Sequence, residues 1–131
     1  MTAAAQRFAD RLQELEETGD VPAFVASVFS DDAELVRPEL GHQNQGREGA
    51  RMFWEQYLSF FDAIRSEFSR VSEGEPGVLE WTSSGRLRGG QDITYSGVSL
   101  LDLDGEGRVR RFATYYDTQA FHAEPSSTQT A

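Results

Sequence analysis

The 131-residue sequence contains no cysteine and no lysine. Without cysteine there can be no disulfide staple, no thiolate zinc site and no thiol nucleophile. Without lysine the chain cannot form an imine with a carbonyl substrate or hold a pyridoxal group by the usual linkage. Histidine is scarce: His42 and His122 lie far apart and neither belongs to a ligand-spaced pair, so no metal site is expected. Arginines supply all 12 cations against 22 acids, a formal charge of −10. The clustered cations that bind a phosphate backbone or an anionic membrane surface are missing, so neither nucleic acid nor membrane is an expected partner. No apolar run approaches the roughly 20 residues needed to span a bilayer. The opening MTAAAQRFADRL has arginines at helical spacing in place of an uninterrupted apolar stretch, which predicts no secretory signal and a cytoplasmic protein. The glycine-rich and nucleophile-elbow motifs of P-loop, dinucleotide-binding and serine-hydrolase proteins are absent, and no cofactor is expected.

What is present is organised around three segments of β-period near the C-terminus: VLEWTSSGRL from Val78, ITYSGVSLLDLD from Ile93 and RVRRFATYYDTQAF from Arg108. Alternation puts Leu79, Trp81 and Ser83 on one face of the first. Tyr95, Gly97, Ser99 and Leu101 share a face of the second, and Phe112, Thr114 and Tyr116 a face of the third. Gly89-Gly90 and Asp104-Gly105-Glu106-Gly107 mark the turns of an antiparallel meander. The acids at Asp102 and Asp104 lack the later ligands of a calcium loop and read as part of that hairpin.

Upstream, Phe8, Leu12 and Leu15 predict an amphipathic helix over residues 4–18, stopped by Gly19. Asp20 is the N-cap of a second helix with Pro22 in its first turn, a buried stripe of Phe24, Val25, Val28 and Phe29, and an end near Ser30. Asp31-Asp32 then terminates it in solvent. AELVRP predicts a short strand with Leu35 and Arg37 on one face, stopped by Pro38. Residues 39–46 show no periodicity and read as an irregular loop, a candidate pocket rim. A long third helix is predicted from Arg47 to about Ile64, with Ala50, Phe53, Trp54, Tyr57, Leu58, Phe61 and Ile64 at helical spacing. RSEFSRVSEG is a further strand, closed by a turn at Glu75-Pro76-Gly77. At 131 residues one domain is expected, spanning residues 1–122, able to bury about two-thirds of the surface of its unfolded chain. Residues 123–131 are a polar tail expected to be disordered.

The order of these pieces carries a resemblance: the Thr-Gly-Asp after the first helix, Phe29-Ser-Asp-Asp-Ala33, Arg37-Pro38, Gly46-Arg-Glu-Gly-Ala50, Val78-Leu-Glu-Trp81, Gly97-Val-Ser, and Arg111 to Asp117 ending in Tyr-Tyr-Asp. Over nearly all of residues 5–121 the chain resembles the nuclear transport factor 2-like superfamily, in particular its SnoaL-like and ketosteroid isomerase-like members. The resemblance implies an α+β fold, a cone-shaped barrel in which a curved, mostly antiparallel sheet wraps on three N-terminal helices. It also implies a pocket at the open end and a common dimeric state. That scaffold hosts several chemistries, so the matched positions decide. The positions of the isomerase base and its two oxyanion-holding acids fall on Arg37, Leu12 and Ser99. The arginine and two aspartates of limonene epoxide hydrolase-like members fall on Trp81, Ser83 and Thr114. Neither acid/base set is retained.

The remaining candidates are Arg37 as a cation orienting a carboxylate or polarising a carbonyl, and His42 and Tyr116 as proton-transfer groups. The expected ligand wall comprises Leu12, Trp54, Tyr57, Trp81, Ser83, Tyr95, Ser99, Phe112 and Thr114. Against these stand plainer readings. Aromatics at strand period are usually core, a loop histidine is usually exposed, and Arg37 could pair with an acid such as Glu34 or Asp117. Asp117 itself reads as an edge or capping residue. Two functions follow. One is an enzyme acting without cofactor on a small hydrophobic carbonyl compound, by cyclisation, isomerisation or dehydration. The other is a non-catalytic ligand-binding or dimeric accessory protein. A neutral or anionic, largely flat ligand is expected, and the apolar outward residues Val78, Val98 and Leu100 predict a homodimer.

Overall fold

The first two elements form where apolar stripes meet good caps. In the computed structural model, which describes residues 3–37 and 42–116, helix α1 (Ala4–Thr18) buries Phe8, Leu12 and Leu15. It ends at Gly19, whose φ of 72° is left-handed and whose N–H donates to the Leu15 carbonyl at 2.7 Å. Helix α2 (Val21–Val28) is capped by the Asp20 carboxylate, which accepts the Ala23 N–H at 3.2 Å, with Pro22 in the first turn.

Strand β1 (Phe29–Arg37) starts earlier than the expected AELVRP strand, directly after α2. The Asp31-Asp32 pair therefore lies within the strand. Both acids are exposed, and they coincide with a register shift between Phe29 and Glu34. The irregularity lets two consecutive acids reach water while Phe29, Ala33, Leu35 and Arg37 stay inside. The predicted irregular loop is in part a strand. Residues 42–45 form β2 (His42–Gln45), antiparallel to β1 with Arg37 opposite His42 and Glu34 opposite Gln45. An edge strand without apolar alternation carries no periodic signal, because the ladder hydrogen bonds that hold it come from the backbone. Residues 38–41, and with them Pro38, fall outside the described residues.

Helix α3 (Gly46–Leu58) is shorter than expected, and Phe61 and Ile64 belong to β3 (Phe61–Ser72). The reason is a bulge between Phe61 and Ala63. An extra residue on a strand puts two inward side chains three positions apart, the same spacing as a helix face, and both residues are buried. A second irregularity between Phe68 and Arg70 accounts for the loose alternation of Phe68 and Val71.

Strands β3, β4 (Gly77–Leu87), β5 (Asp92–Leu103) and β6 (Val109–Tyr116) make the expected meander, and β1 joins β6 in parallel. The sheet order is β2-β1-β6-β5-β4-β3. Its inner face carries the predicted residues in register. Leu79 pairs with Ser99, Trp81 with Gly97 and Ser83 with Tyr95, then Leu101 with Phe112, Ser99 with Thr114 and Gly97 with Tyr116. Gly97 is required there, since a Cβ would lie 2.5 Å from the Trp81 ring, which crosses over it. The helices cover this face. Phe8, Phe24, Phe29, Trp54 and Phe112 interlock, with Phe8 stacked on Phe112 at 5.4 Å and Phe24 edge-on to Trp54 at 5.3 Å. Among the described residues no helix is long and apolar enough to cross a membrane. The expected domain end at residue 122 and the tail 123–131 lie outside the described residues.

Candidate functional site

Between α1, α3 and the inner face of the sheet the side chains leave a cavity of about 30 Å³, room for about two water molecules. Ten of the sequence-predicted residues line it. Arg37 and Tyr116 stand with Leu12, Trp54 and Tyr57 from the helices and with Trp81, Ser83, Ser99, Phe112 and Thr114 from the sheet. Tyr95 stands behind this wall. It is buried, its ring 5.4 Å from those of Trp81 and Tyr116, and its hydroxyl is hydrogen-bonded to that of Tyr57. His42 is on the strand next to β1, its backbone opposite that of Arg37. Its side chain, like Asp117 and His122, is outside the described residues.

Arg37, the last residue of β1, is 4% exposed. Alternation along β1 brings it inward two residues after Leu35. Its guanidinium carbon sits 4.5 Å above the Phe53 ring, a cation–π contact, and its Nε has no hydrogen-bond partner among the described residues. No carboxylate pairs with it among the described residues. Glu34, one of the acids that could have done so, accepts from Gln43 at 2.6 Å and lies 3.9 Å from Arg111. A second buried donor on the same cavity, Trp54 Nε1, is also without a partner among the described residues.

The polar atoms of the sheet, by contrast, are tied together. Trp81 Nε1 donates to Ser99 Oγ at 3.0 Å, and Ser99 Oγ meets Thr114 Oγ1 at 2.9 Å. This fixes the indole plane. Burial is the main cause that pushes the Tyr57 and Tyr95 phenols above their ordinary pKa, and both stay neutral over the working pH range.

One charged residue on this wall is absent from the sequence-derived set. Glu16 of α1 reaches β3, where its Oε1 accepts the Ser66 N–H at 2.7 Å and its Oε2 lies 2.5 Å from Ser66 Oγ. Ser66 Oγ is in turn 2.5 Å from Ser83 Oγ. Burial raises the Glu16 carboxyl pKa, opposed by the two Ser66 hydrogen bonds and by Arg65. The signal was available: Glu16 follows Leu12 by one helical turn and so borders the buried stripe. Helical wheels assign such seam positions to solvent by default. Ser66 and Phe53 complete the lining. The wall therefore combines a guanidinium that can stabilise charge on an oxygen, a carboxyl that can exchange a proton, and aromatic faces for a flat ligand. Among the described residues no group of three His, Asp or Glu side chains is placed to hold a metal.

Three helices packed on a mixed sheet of this order define a nuclear transport factor 2-like, ketosteroid isomerase-like fold. Within that fold class, residues 5–112 match the SnoaL-like domain, and the chain belongs to that family. Solved structures share the architecture at low identity. A candidate SnoaL-like polyketide cyclase from Jannaschia sp. superposes with a TM-score of 0.73 at 17% identity, covering 95% of this chain and 98% of its own. A ketosteroid isomerase-like protein from Catenulispora acidiphila, in complex with trimethylamine, gives 0.74 at 17%, covering 87% and 88%. A protein from Mycobacterium tuberculosis in complex with estradiol-17β-hemisuccinate gives 0.74 at 12%, covering 91% and 98%. At these identities the likeness is one of fold. No curated protein matches the sequence.

Proposed function

We propose that this SnoaL-like protein binds a small, flat, hydrophobic carbonyl or carboxylate compound in the cavity and acts on it with its own side chains, by isomerisation, cyclisation or dehydration, in the cytoplasm. The observation that carries the reading is Arg37: a buried guanidinium on the cavity wall with no carboxylate partner among the described residues. An unpaired buried cation is costly, and an anionic or carbonyl oxygen from a ligand relieves that cost. The steroid hemisuccinate held by the mycobacterial relative, a flat ring system bearing an acid, belongs to the same ligand class. A cavity of 30 Å³ admits no ring. Binding thus requires the wall to open, and Tyr57 and Tyr116 are its half-buried aromatic side chains.

A binding screen against aromatic carboxylates, polyketides and steroids tests this, with Arg37→Ala and Trp81→Ala beside the parent. Loss of an anchored, hydrogen-bonded charge costs on the order of 2–5 kcal/mol, so Arg37→Ala should weaken binding by well over tenfold. Ligands bound equally well by both variants and the parent would place the site elsewhere. Saturable binding without turnover of any carbonyl hit would favour the accessory-protein reading. The half-buried Val78, Val98 and Leu100 lie on the outer sheet face, with Val78 opposite Leu100, and support a homodimer through it. Light scattering at micromolar protein checks this, and a concentration-independent monomer mass contradicts it.

A further inference from the structure

Glu16 lies between two spaces. On one side it lines the interior cavity with Ser66, Ser83 and Tyr57. On the other, with Gln13, Glu17 and Arg65, it walls a separate surface groove of about 360 Å³. From its carboxyl a run of hydroxyls leads inward: Glu16 Oε2 to Ser66 Oγ at 2.5 Å and Ser66 Oγ to Ser83 Oγ at 2.5 Å, where Ser83 shares the cavity wall with Tyr57, itself hydrogen-bonded to Tyr95. Both serines are buried, at 4% and 1% exposure, so bulk solvent does not reach these bonds.

We infer that Glu16 is the proton-exchange residue of the cavity, passing protons between the surface groove and a ligand through Ser66 and Ser83. A serine hydroxyl has one proton to give and two lone pairs, so the run has two directions. With Glu16 ionised, Ser66 donates to Oε2 and Ser83 donates to Ser66. With Glu16 protonated, its carboxyl donates to Ser66 and Ser66 donates to Ser83. The bond from Ser66 N–H to Oε1 holds the carboxyl in place in both states. Reversing the run moves one proton from end to end, since each serine gives one O–H proton and takes another and neither changes charge.

The inference deepens the proposed carbonyl chemistry and rests on it for the identity of the ligand. For a ketone seated at Ser83, the α C–H bond breaks and its proton goes to Ser83 Oγ. Ser83 passes its own proton to Ser66, and Ser66 passes its own to Glu16 Oε2. The electron pair left on carbon delocalises to the carbonyl oxygen, giving an enolate whose charge the Arg37 guanidinium stabilises. The groups that face Glu16 set its poise. Arg65 on β3 favours the carboxylate, burial favours the acid, and the Tyr57 and Tyr95 phenols from α3 and β5 stay neutral. Glu17 adjoins it on its own helix, and Arg37 on β1 is the other charge on the cavity wall.

The test uses the ligand-free protein, labelled with ¹³C at Glu Cδ and Tyr Cζ and titrated by NMR. Glu16 should titrate above its ordinary value of 4.5, with Tyr57 Cζ inflecting at the same midpoint. Glu16→Gln should remove that inflection. Ser66→Ala should leave Glu16 titrating and abolish the Tyr57 response, and Ser83→Ala should do the same one link further in. A parent Tyr57 that ignores the Glu16 midpoint overturns the relay. So does a response that survives both serine variants, because it would then be through-space charge alone. A second readout, α-deuterium exchange into 2-tetralone in D₂O, should fall by roughly tenfold or more in Glu16→Gln. If the parent shows the NMR coupling and neither binds nor exchanges the tetralone, the relay stands and the carbonyl reading fails.

Discussion

The interior has two aromatic regions built from similar residues, and they do different things. At one, Phe8, Phe24, Phe29 and Phe112 meet edge-on or stacked at 5.4–6.4 Å and close against each other. At the other, Tyr57, Trp81 and Tyr116 carry polar atoms, share their wall with Arg37, Glu16 and four sheet hydroxyls, and leave a space. Phenylalanine rings fill volume in any orientation that packs. Tyrosine and tryptophan rings are held where their O–H and N–H find partners, and that restriction leaves gaps between them. The purely apolar region is thus expected to carry stability, and the polar-tipped region function.

Phe8→Ala should separate the two most sharply. It removes a fully buried ring stacked on Phe112 and should lower stability by about 3–5 kcal/mol, read as a fall in the urea midpoint. A loss under about 1 kcal/mol would show that the apolar cluster is not the stabilising half. Gly97→Ala strikes the boundary of the polar region, since its Cβ would press on the Trp81 ring and on the Tyr115 carbonyl. We expect about 1–3 kcal/mol of destabilisation, with tryptophan fluorescence shifted as the ring is displaced.

Arg37→Ala should do the reverse of Phe8→Ala. It should weaken ligand binding by well over tenfold while leaving the thermal midpoint unchanged or raised, because among the described residues the buried guanidinium meets no carboxylate and sits over the Phe53 ring. A large drop in the midpoint would mean that the arginine is structural.

The smallest effect is expected from Glu16→Gln, and it depends on pH. The raised folded-state pKa means that the native protein holds this proton more tightly than the unfolded chain does. The associated stability is complete below the ordinary value of 4.5 and is lost as pH rises through the folded-state value. The Gln variant should therefore gain relative to the parent between pH 4 and pH 8, compared by urea midpoints at the two values. An unchanged difference would place Glu16 in a water-like environment.

Much of the inner face was legible in the sequence, and for a local reason. Strand geometry alternates side chains at every residue, so Leu79, Trp81, Ser83, Ser99, Phe112, Thr114 and Tyr116 could be assigned to one face from spacing alone. The same reasoning failed where the backbone departs from that geometry. The bulge at Phe61 imitates a helical interval, and β2 pairs without any apolar period.

By itself, then, the sequence determined the first helix and its glycine stop, the Asp20 cap, the meander and the arginine that turns inward after Leu35, because each follows from the local pattern of a single element. It also excluded whole chemistries through the residues it lacks. Only the tertiary structure decided that Glu16 crosses from α1 to meet Ser66 and Ser83, that Tyr95 stands behind Tyr57, and that no described acid reaches Arg37. Those outcomes depend on how closely a helix approaches a strand and on which of two neighbouring side chains gets there first. These are distances between elements, which no periodicity within one element encodes.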